Sequence, residues 1–273
     1  MTERPKVSFV TVAYRTPDLI RVLLSGVRDA NFGFSYEYFV VNNAPGDGLK
    51  EIVEAEFPWV RYIDAPGNVG FGAGNNLAFA QAQGEYLMAS NPDLAYFAGE
   101  MEKLVAYADA HPEAGILAPR LNNPNGTLQR NFHRFPSLLT PVYRRTFLGR
   151  TRWGRCALDA FHMREVEVPA EPIDVDGSYG AALLLRRGML DEVGAFDERY
   201  FMYFEDVDLC RRAWAGGWKV RYVPHAALVH YHQRESDVRF PWQILKSRTV
   251  RAHIASAVKY FWKYRNVPSP RLR

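Results

Sequence analysis

Short apolar, β-branched runs alternate with helix-forming stretches through the first 118 residues, and few folds accommodate that order. Lys6 to Val12 (KVSFVTV), Tyr36 to Val41, Trp59 to Ile63, Glu85 to Ala89 and Gly115 to Ala118 read as strands. Between them, helices are predicted from Thr16-Pro17-Asp18 onward, over Leu49 to Phe57, over Gly70 to Gln81 and over Glu100 to Ala110. Thr16 suits a helix cap, Pro17 the first helical position and Asp18 the positive helix end. Strand–helix–strand order implies right-handed crossovers and an α/β fold, a mostly parallel central sheet flanked by helices. Such sheets bind ligands beyond the carboxyl ends of their strands. Tyr14, Asn42-Asn43, Asn68 and Asn91-Pro92-Asp93 each follow a predicted strand, and all are expected along one edge.

Regularity lapses between Asn122 and Pro172, where Asn-Pro-Asn-Gly turn chemistry at 123–126 is followed by scattered arginines and aromatics. This stretch reads equally as an irregular connection over the sheet and as a mobile, acceptor-facing insertion. Tyr179 to Leu185 is a buried strand, Met189 to Val193 and Leu209 to Ala215 are helices, and Trp218 to Val223 is a strand stopped by Pro224. Ala226 to Val229 then leads to His230. Pro241 to Tyr264 is helical, with Val250, Ile254, Val258 and Phe261 on one face and Arg248, Lys259 and Lys263 opposite. Two units are expected, a domain over 1–235 and a basic helical extension over 236–273.

Hydrophobic content of 48% and charged content of 23% exclude a disordered chain and describe a globular one. The start lacks the apolar core of a signal peptide, and no apolar run approaches the ~20 residues of a membrane span. Cys156 and Cys210 lie far apart without metal-ligand spacing and read as free thiols of a cytoplasmic protein. From Val238 to Arg273 there are nine Lys/Arg and no acid, against 25 basic and 30 acidic residues elsewhere. A basic tail on a mildly acidic body points to an anionic partner, and with no nucleic-acid motif in the body that partner is not read as nucleic acid.

Four segments carry chemistry. In Asn91-Pro92-Asp93, proline stiffens a turn from which Asp93 can reach a cation on a diphosphate. The same tripeptide is also a good plain turn. Phe201 to Asp208 (FMYFEDVD) places three acids after an aromatic run at a helix start, either as caps or as working carboxylates. In the second reading Asp206, beside Glu205, is a general base toward an acceptor hydroxyl. His230 is a structural histidine or completes a metal site, with His232 as a rival. Asn68 to Asn76 (NVGFGAGNN) opens a helix with three glycines, so its N–H groups either face an anion or the turn packs on the sheet.

Further matching pieces are Val10-Thr11-Val12-Ala13-Tyr14, Val40 to Ala44, Gly115 to Arg120, Asn125 to Gln129 and Arg134-Phe135-Pro136-Ser137. Gly180 to Arg187, Gly194 to Glu198 and Phe201 to Arg212 complete the set before His230. In this collinear order, over roughly residues 6 to 235, the chain resembles the GT-A-fold inverting glycosyltransferases of family 2, especially the bacterial rhamnosyltransferase-like branch.

The resemblance implies a nucleotide-sugar donor (dTDP- or UDP-linked), a divalent Mg2+ or Mn2+, and a single displacement at the anomeric carbon onto a glycan or polyprenyl-diphosphate-linked acceptor. It implies that Asp93 and His230 serve the metal and that Asp206, with Glu205, serves as base. By the same resemblance, Tyr14, Asn42 and Asn43 fall in the base and ribose pocket; Asn68, Gly70, Phe71 and Asn76 in the donor loop; and Asn91 beside Asp93. L-rhamnose from dTDP-rhamnose is the implied donor, with UDP-hexoses as alternatives. Two departures stand out. Asn42 occupies a position usually held by aspartate, and Asn91-Pro92-Asp93 replaces a paired-acid motif. Competing readings are a non-catalytic sugar-nucleotide-binding module and a nucleotidyltransferase. The latter would need a glycine- and arginine-rich loop where Tyr14-Arg15-Thr16-Pro17 stands. The helix over 241–264 is expected to touch the inner membrane face, to dock on the body or to form a homodimer contact.

Overall fold

The computed structural model describes residues 4–231 and 247–271. Four parallel strands form one half of the central sheet: β1 (Val7–Ala13), β2 (Tyr36–Asn42), β3 (Val60–Asp64) and β4 (Tyr86–Ser90), in the order β3-β2-β1-β4. Helices α1 (Pro17–Ala30), α2 (Leu49–Glu56) and α3 (Phe71–Phe79) make the crossovers. Period-two alternation divides the core, with Val7 and Phe9 packing on one face of the sheet and Val10 and Val12 on the other. Phe9 stacks on Phe32 and Tyr38 at 5.1 and 5.5 Å. Thr16 sits at the N-cap of α1, but its ψ of 47° is not extended and its side chain makes no cap bond.

After β5 (Leu94–Ala95) and α4 (Glu100–Ala110) comes β6 (Ala114–Asn122). The turn at 123–126 reverses the chain into β7 (Leu128–Gln129), closed by Gly126 N–H donating to the Asn123 carbonyl at 2.8 Å. The stretch that follows is more ordered than the sequence suggested. It contains β8 (Phe132–His133), α5 (Thr140–Arg145), a 3-10 turn (Phe147–Arg150), α6 (Arg152–Phe161), β9 (Ile173–Asp174) and β10 (Gly177–Ser178). Thr151 starts α6 by accepting from Gly154 N–H at 3.1 Å, a local signal masked by the surrounding arginines.

β11 (Ala182–Arg186) runs antiparallel between β4 and β6. α7 (Arg187–Val193) and α8 (Glu205–Ala215) lead to β12 (Lys219–His230), which is parallel to β6. The long ladders make the sheet mixed but mostly parallel, as expected. Pro224 does not stop the last strand. A register shift between Val223 and Ala227 absorbs the missing donor, and β12 continues to His230. The carboxyl ends of β4, β6 and β12 and the start of β11 therefore share one rim.

The C-terminal helix is α9 (Arg248–Lys263); residues 241–246 and His232 lie outside the described residues. Its buried face is Val250, His253, Ser256, Ala257 and Tyr260, rotated from the face expected. Ile254 and Val258 point outward, while Lys263 turns inward to Asp197 and Asp208 at 2.8 and 2.6 Å. Carboxylates on the body pair with the lysine on the same side on which Ala257 and Tyr260 pack against Tyr200, Phe204 and Val207.

Candidate active site

The rim brings together residues that lie 137 positions apart in the chain, Asp93 and His230. β5 returns directly after the Asn91-Pro92-Asp93 turn and pairs with the end of β12, opposing Leu94 to His230. The Asp93 carbonyl accepts from Tyr231 N–H at 2.9 Å, which ties the turn to the strand end. The Gln129 amide donates to the His230 carbonyl (2.9 Å) and to Asn123 Oδ1 (2.6 Å). Its Oε1 therefore faces His230 Nδ1, at 2.8 Å, and takes that proton. The other ring nitrogen, Nε2, looks toward Asp93 Oδ1 at 3.1 Å, with the Asn91 amide nitrogen at 3.5 Å.

This pair fits a divalent cation. A carboxylate oxygen and an imidazole nitrogen converge, and the second imidazole nitrogen is held by an outer partner, as in metal-bound histidines. Among the described residues no group of three or more His, Cys, Asp or Glu forms a metal cluster. A cation held between Asp93 and His230 would have two ligands from these residues and would need further oxygens from a bound group.

Asp206 opens α8 beside this rim. Its Oδ2 accepts from Gly180 N–H at 2.9 Å and its Oδ1 from Val207 N–H at 2.8 Å. The next carbonyl, that of Ala181, accepts from Asn91 N–H at 2.9 Å. Two consecutive residues thus join Asp206 to the turn that carries Asp93. Glu205 is only 5% exposed, and its Oε2 has no hydrogen-bond partner among the described residues. Burial, and then the adjoining Asp206, hold the Glu205 carboxyl well above its ordinary range. Burial also raises Asp206, opposed by the N–H groups of Gly180 and Val207.

The glycine-rich loop lies against the same corner, and two of its N–H groups are already taken within the protein. Gly70 N–H goes to Asn68 Oδ1 at 3.1 Å and Phe71 N–H to the Phe201 carbonyl at 3.2 Å. Gly70 has φ of +90°, and a Cβ there would overlap the Phe201 carbonyl, so the loop is packed onto the aromatic run before Glu205. Asn43 braces it through Gly70 O at 3.0 Å and Asn68 Oδ1 at 3.4 Å. Asn76 instead locks α3 to the Phe196 backbone and to Glu198. Asn42 is fully buried, organising its own turn through Ala44, Asp47 and Tyr62. Tyr14, 42% exposed past β1, offers its ring to solvent and to Arg15.

Two side chains not singled out in the sequence matter here. Gln129 orients His230; the matching segment Asn125 to Gln129 was the available signal. Arg144 of α5 lies over the rings of Phe161 and Tyr179 at 5.7 and 5.6 Å, and its charge acts on Asp206. Nothing local in the arginine-rich stretch marked it.

The family model described as Glycosyl transferase family 2 matches residues 8–192. The N-acetylglucosaminyl-diphospho-decaprenol L-rhamnosyltransferase of Mycobacterium tuberculosis (strain ATCC 25618 / H37Rv) is 32% identical over 216 residues, 74% of this chain and 68% of that protein. Rhamnosyltransferase WbbL of Escherichia coli (strain K12) is 26% identical over 271 residues, 95% of this chain and 94% of that protein. Among solved structures, GalNAc-T7 with UDP, GalNAc and Mn2+ superposes with a TM-score of 0.69 at 14% identity, over 96% of this chain but only 48% of that one. The mannosyltransferase PcManGT from Pyrobaculum calidifontis, in complex with GDP-Man and Mn2+, gives 0.57 at 16% identity over 98% and 77%. These likenesses establish the GT-A fold expected from the sequence. With the family model spanning most of the chain and these relatives beside it, the protein belongs to glycosyl transferase family 2, in its rhamnosyltransferase-like branch.

Proposed function

We propose that this protein moves L-rhamnose, from dTDP-rhamnose, onto a hydroxyl of a polyprenyl-diphosphate-linked glycan during cell-surface polysaccharide synthesis, with inversion at the anomeric carbon. The observation that carries the reading is the link from Asp206 through Gly180 and Ala181 to the turn of Asp93, whose carboxylate meets His230 at the end of β12. The names of the mycobacterial and Escherichia coli relatives support rhamnosyl transfer, and the former's name supports a lipid-diphosphate acceptor.

Asp206 takes the proton of the acceptor hydroxyl as it attacks. Its raised pKa suits a base working nearer neutrality than a free carboxylate. A single displacement needs no enzyme nucleophile. Asp93 and His230 would hold Mg2+ or Mn2+ together with the donor diphosphate. Such an ion, when bound, offsets charge on the departing diphosphate. Tyr14 offers a face to the nucleobase, while Asn43, Asn68 and Gly70 shape the wall beside the donor and Asn91 steadies His230. The catalytic unit is residues 1–235, with 236–273 as an extension that keeps the enzyme at the inner membrane face.

The deciding experiment is Asp206→Asn, assayed for transfer and for donor binding. Transfer should fall by about 10²–10⁴ while donor affinity holds. Equal loss of both would make Asp206 a donor ligand and remove the base from the scheme.

A further inference from the structure

The outer face of α9 leaves apolar side chains in solvent, Trp262 among them with Arg265 over its ring at 4.3 Å. Ile254, Val258 and Trp262 are exposed, Trp262 by 68%. α9 packs against α5, and the chain around α5 and α6 shows the same character. Leu138, Leu139 and Val142 are exposed there, together with Phe147 (71%) and Trp153 (80%). Between Ser137 and Leu158 the chain carries five arginines and no acid, and from Ser247 to Arg265 five Lys/Arg and no acid. Arg150, Arg152, Arg155, Arg248 and Arg251 all stand in solvent.

An apolar surface edged by one sign of charge marks an interaction site. Aliphatic and aromatic side chains beside arginines suit the headgroup and acyl boundary of an anionic bilayer. Exposed leucine, isoleucine and valine offer nothing to a nucleic acid, which would use the arginines and aromatic rings alone. Arg144 sets the orientation. It lies on the same short helix as Val142 and over the ring of Tyr179 at 5.6 Å, next to Gly180, whose N–H donates to Asp206 at 2.9 Å, so this surface borders the active-site rim.

We propose that the α5–α6 segment and the outer face of α9 form one docking surface for an anionic lipid leaflet, inserting Phe147 and Trp153 and seating the active-site rim against the membrane. The inference deepens the membrane contact of the proposed function, on which it rests, by adding the α5–α6 segment as the inserting part, and it does not depend on the donor.

The test is sedimentation of the full chain with phosphatidylglycerol-containing vesicles and with phosphatidylcholine vesicles. The wild type should bind the first and not the second, and high salt should release it. Phe147→Glu, Trp153→Glu and the pair Ile254→Glu/Trp262→Glu should each lower partitioning by about tenfold. Thermal midpoints and lipid-free donor hydrolysis should stay at wild-type values, since these side chains lie in solvent. Brominated lipids should quench wild-type fluorescence more than that of Trp153→Phe. Absence of wild-type vesicle binding, or variants that bind as the wild type does, would overturn the proposal. It would equally be overturned if the substitutions abolished a dimer or RNA binding and left vesicle binding intact.

Discussion

At the residue scale, the site rests on side chains whose partners come from distant strands. His230 has its Nδ1 proton held by Gln129, so Gln129→Leu should free the ring to turn. We expect metal-dependent donor affinity to fall about 10–100-fold in Gln129→Leu, as measured by calorimetry with and without chelator. Asp93→Ala should remove the metal dependence altogether, and identical donor binding with and without chelator in the wild type would refute the assignment. Glu205 makes a different prediction. Its carboxyl is buried, partly unpartnered and raised above its ordinary value of 4.5. As pH rises above that value, the unfolded chain loses its proton before the folded one does, so ionisation costs stability. Glu205→Gln should therefore be more stable than the wild type by about 1–3 kcal/mol at neutral or alkaline pH, converging toward it in acid, as read by urea unfolding. Each segment taken locally kept two readings, Asp93 as turn or cation ligand, Asp206 as cap or base and His230 as structural or ligand, and what the fold adds is that the three lie along one rim.

At the scale of elements, the strands and crossover helices were legible because a buried parallel strand must be apolar and its helix must show a 3.6-residue stripe. Their order in the sheet, β3-β2-β1-β4, lies outside such signals and comes from the strand pairings of the fold. The insertion after β6 was not legible, because its helices are short and carry few core residues. α9 was legible as a helix but not in its rotation, since a tertiary network sets that. Asp208 of α8 has a side chain with no exposed surface and binds Arg212 (2.7 Å), Lys263 (2.6 Å), Tyr264 (2.8 Å) and Tyr200 (3.3 Å). Removing the anion leaves two cations beside each other in a partly buried place. Asp208→Ala should cost about 3–5 kcal/mol in chemical unfolding. A cost near zero would mean that α9 is held by its apolar face alone.

For the whole molecule, two buried histidines, His133 and His253, and the half-buried His162 link stability to pH. Burial lowers His133 and His253 to about 3 and His162 to about 4, from an ordinary 6.5. Below pH 6.5 the unfolded chain takes up protons that the folded chain refuses, so stability is present above that value and is lost as pH falls toward 3. Thermal midpoints should drop steadily through that window, and a flat profile would mean that these rings reach water. His253 belongs to α9, so acid should loosen that helix with the body.

The sequence by itself determined the α/β class, the alternation of the first six elements and the edge along which polar residues would gather. Those follow from local periodicity and from the few topologies that right-handed crossovers permit. The tertiary structure alone decided that β12 runs through Pro224 to deliver His230 to Asp93, that Gly180 and Ala181 tie Asp206 to the same turn, and which face α9 turns outward. These depend on pairings between residues far apart in the chain, whose free energy no local pattern encodes.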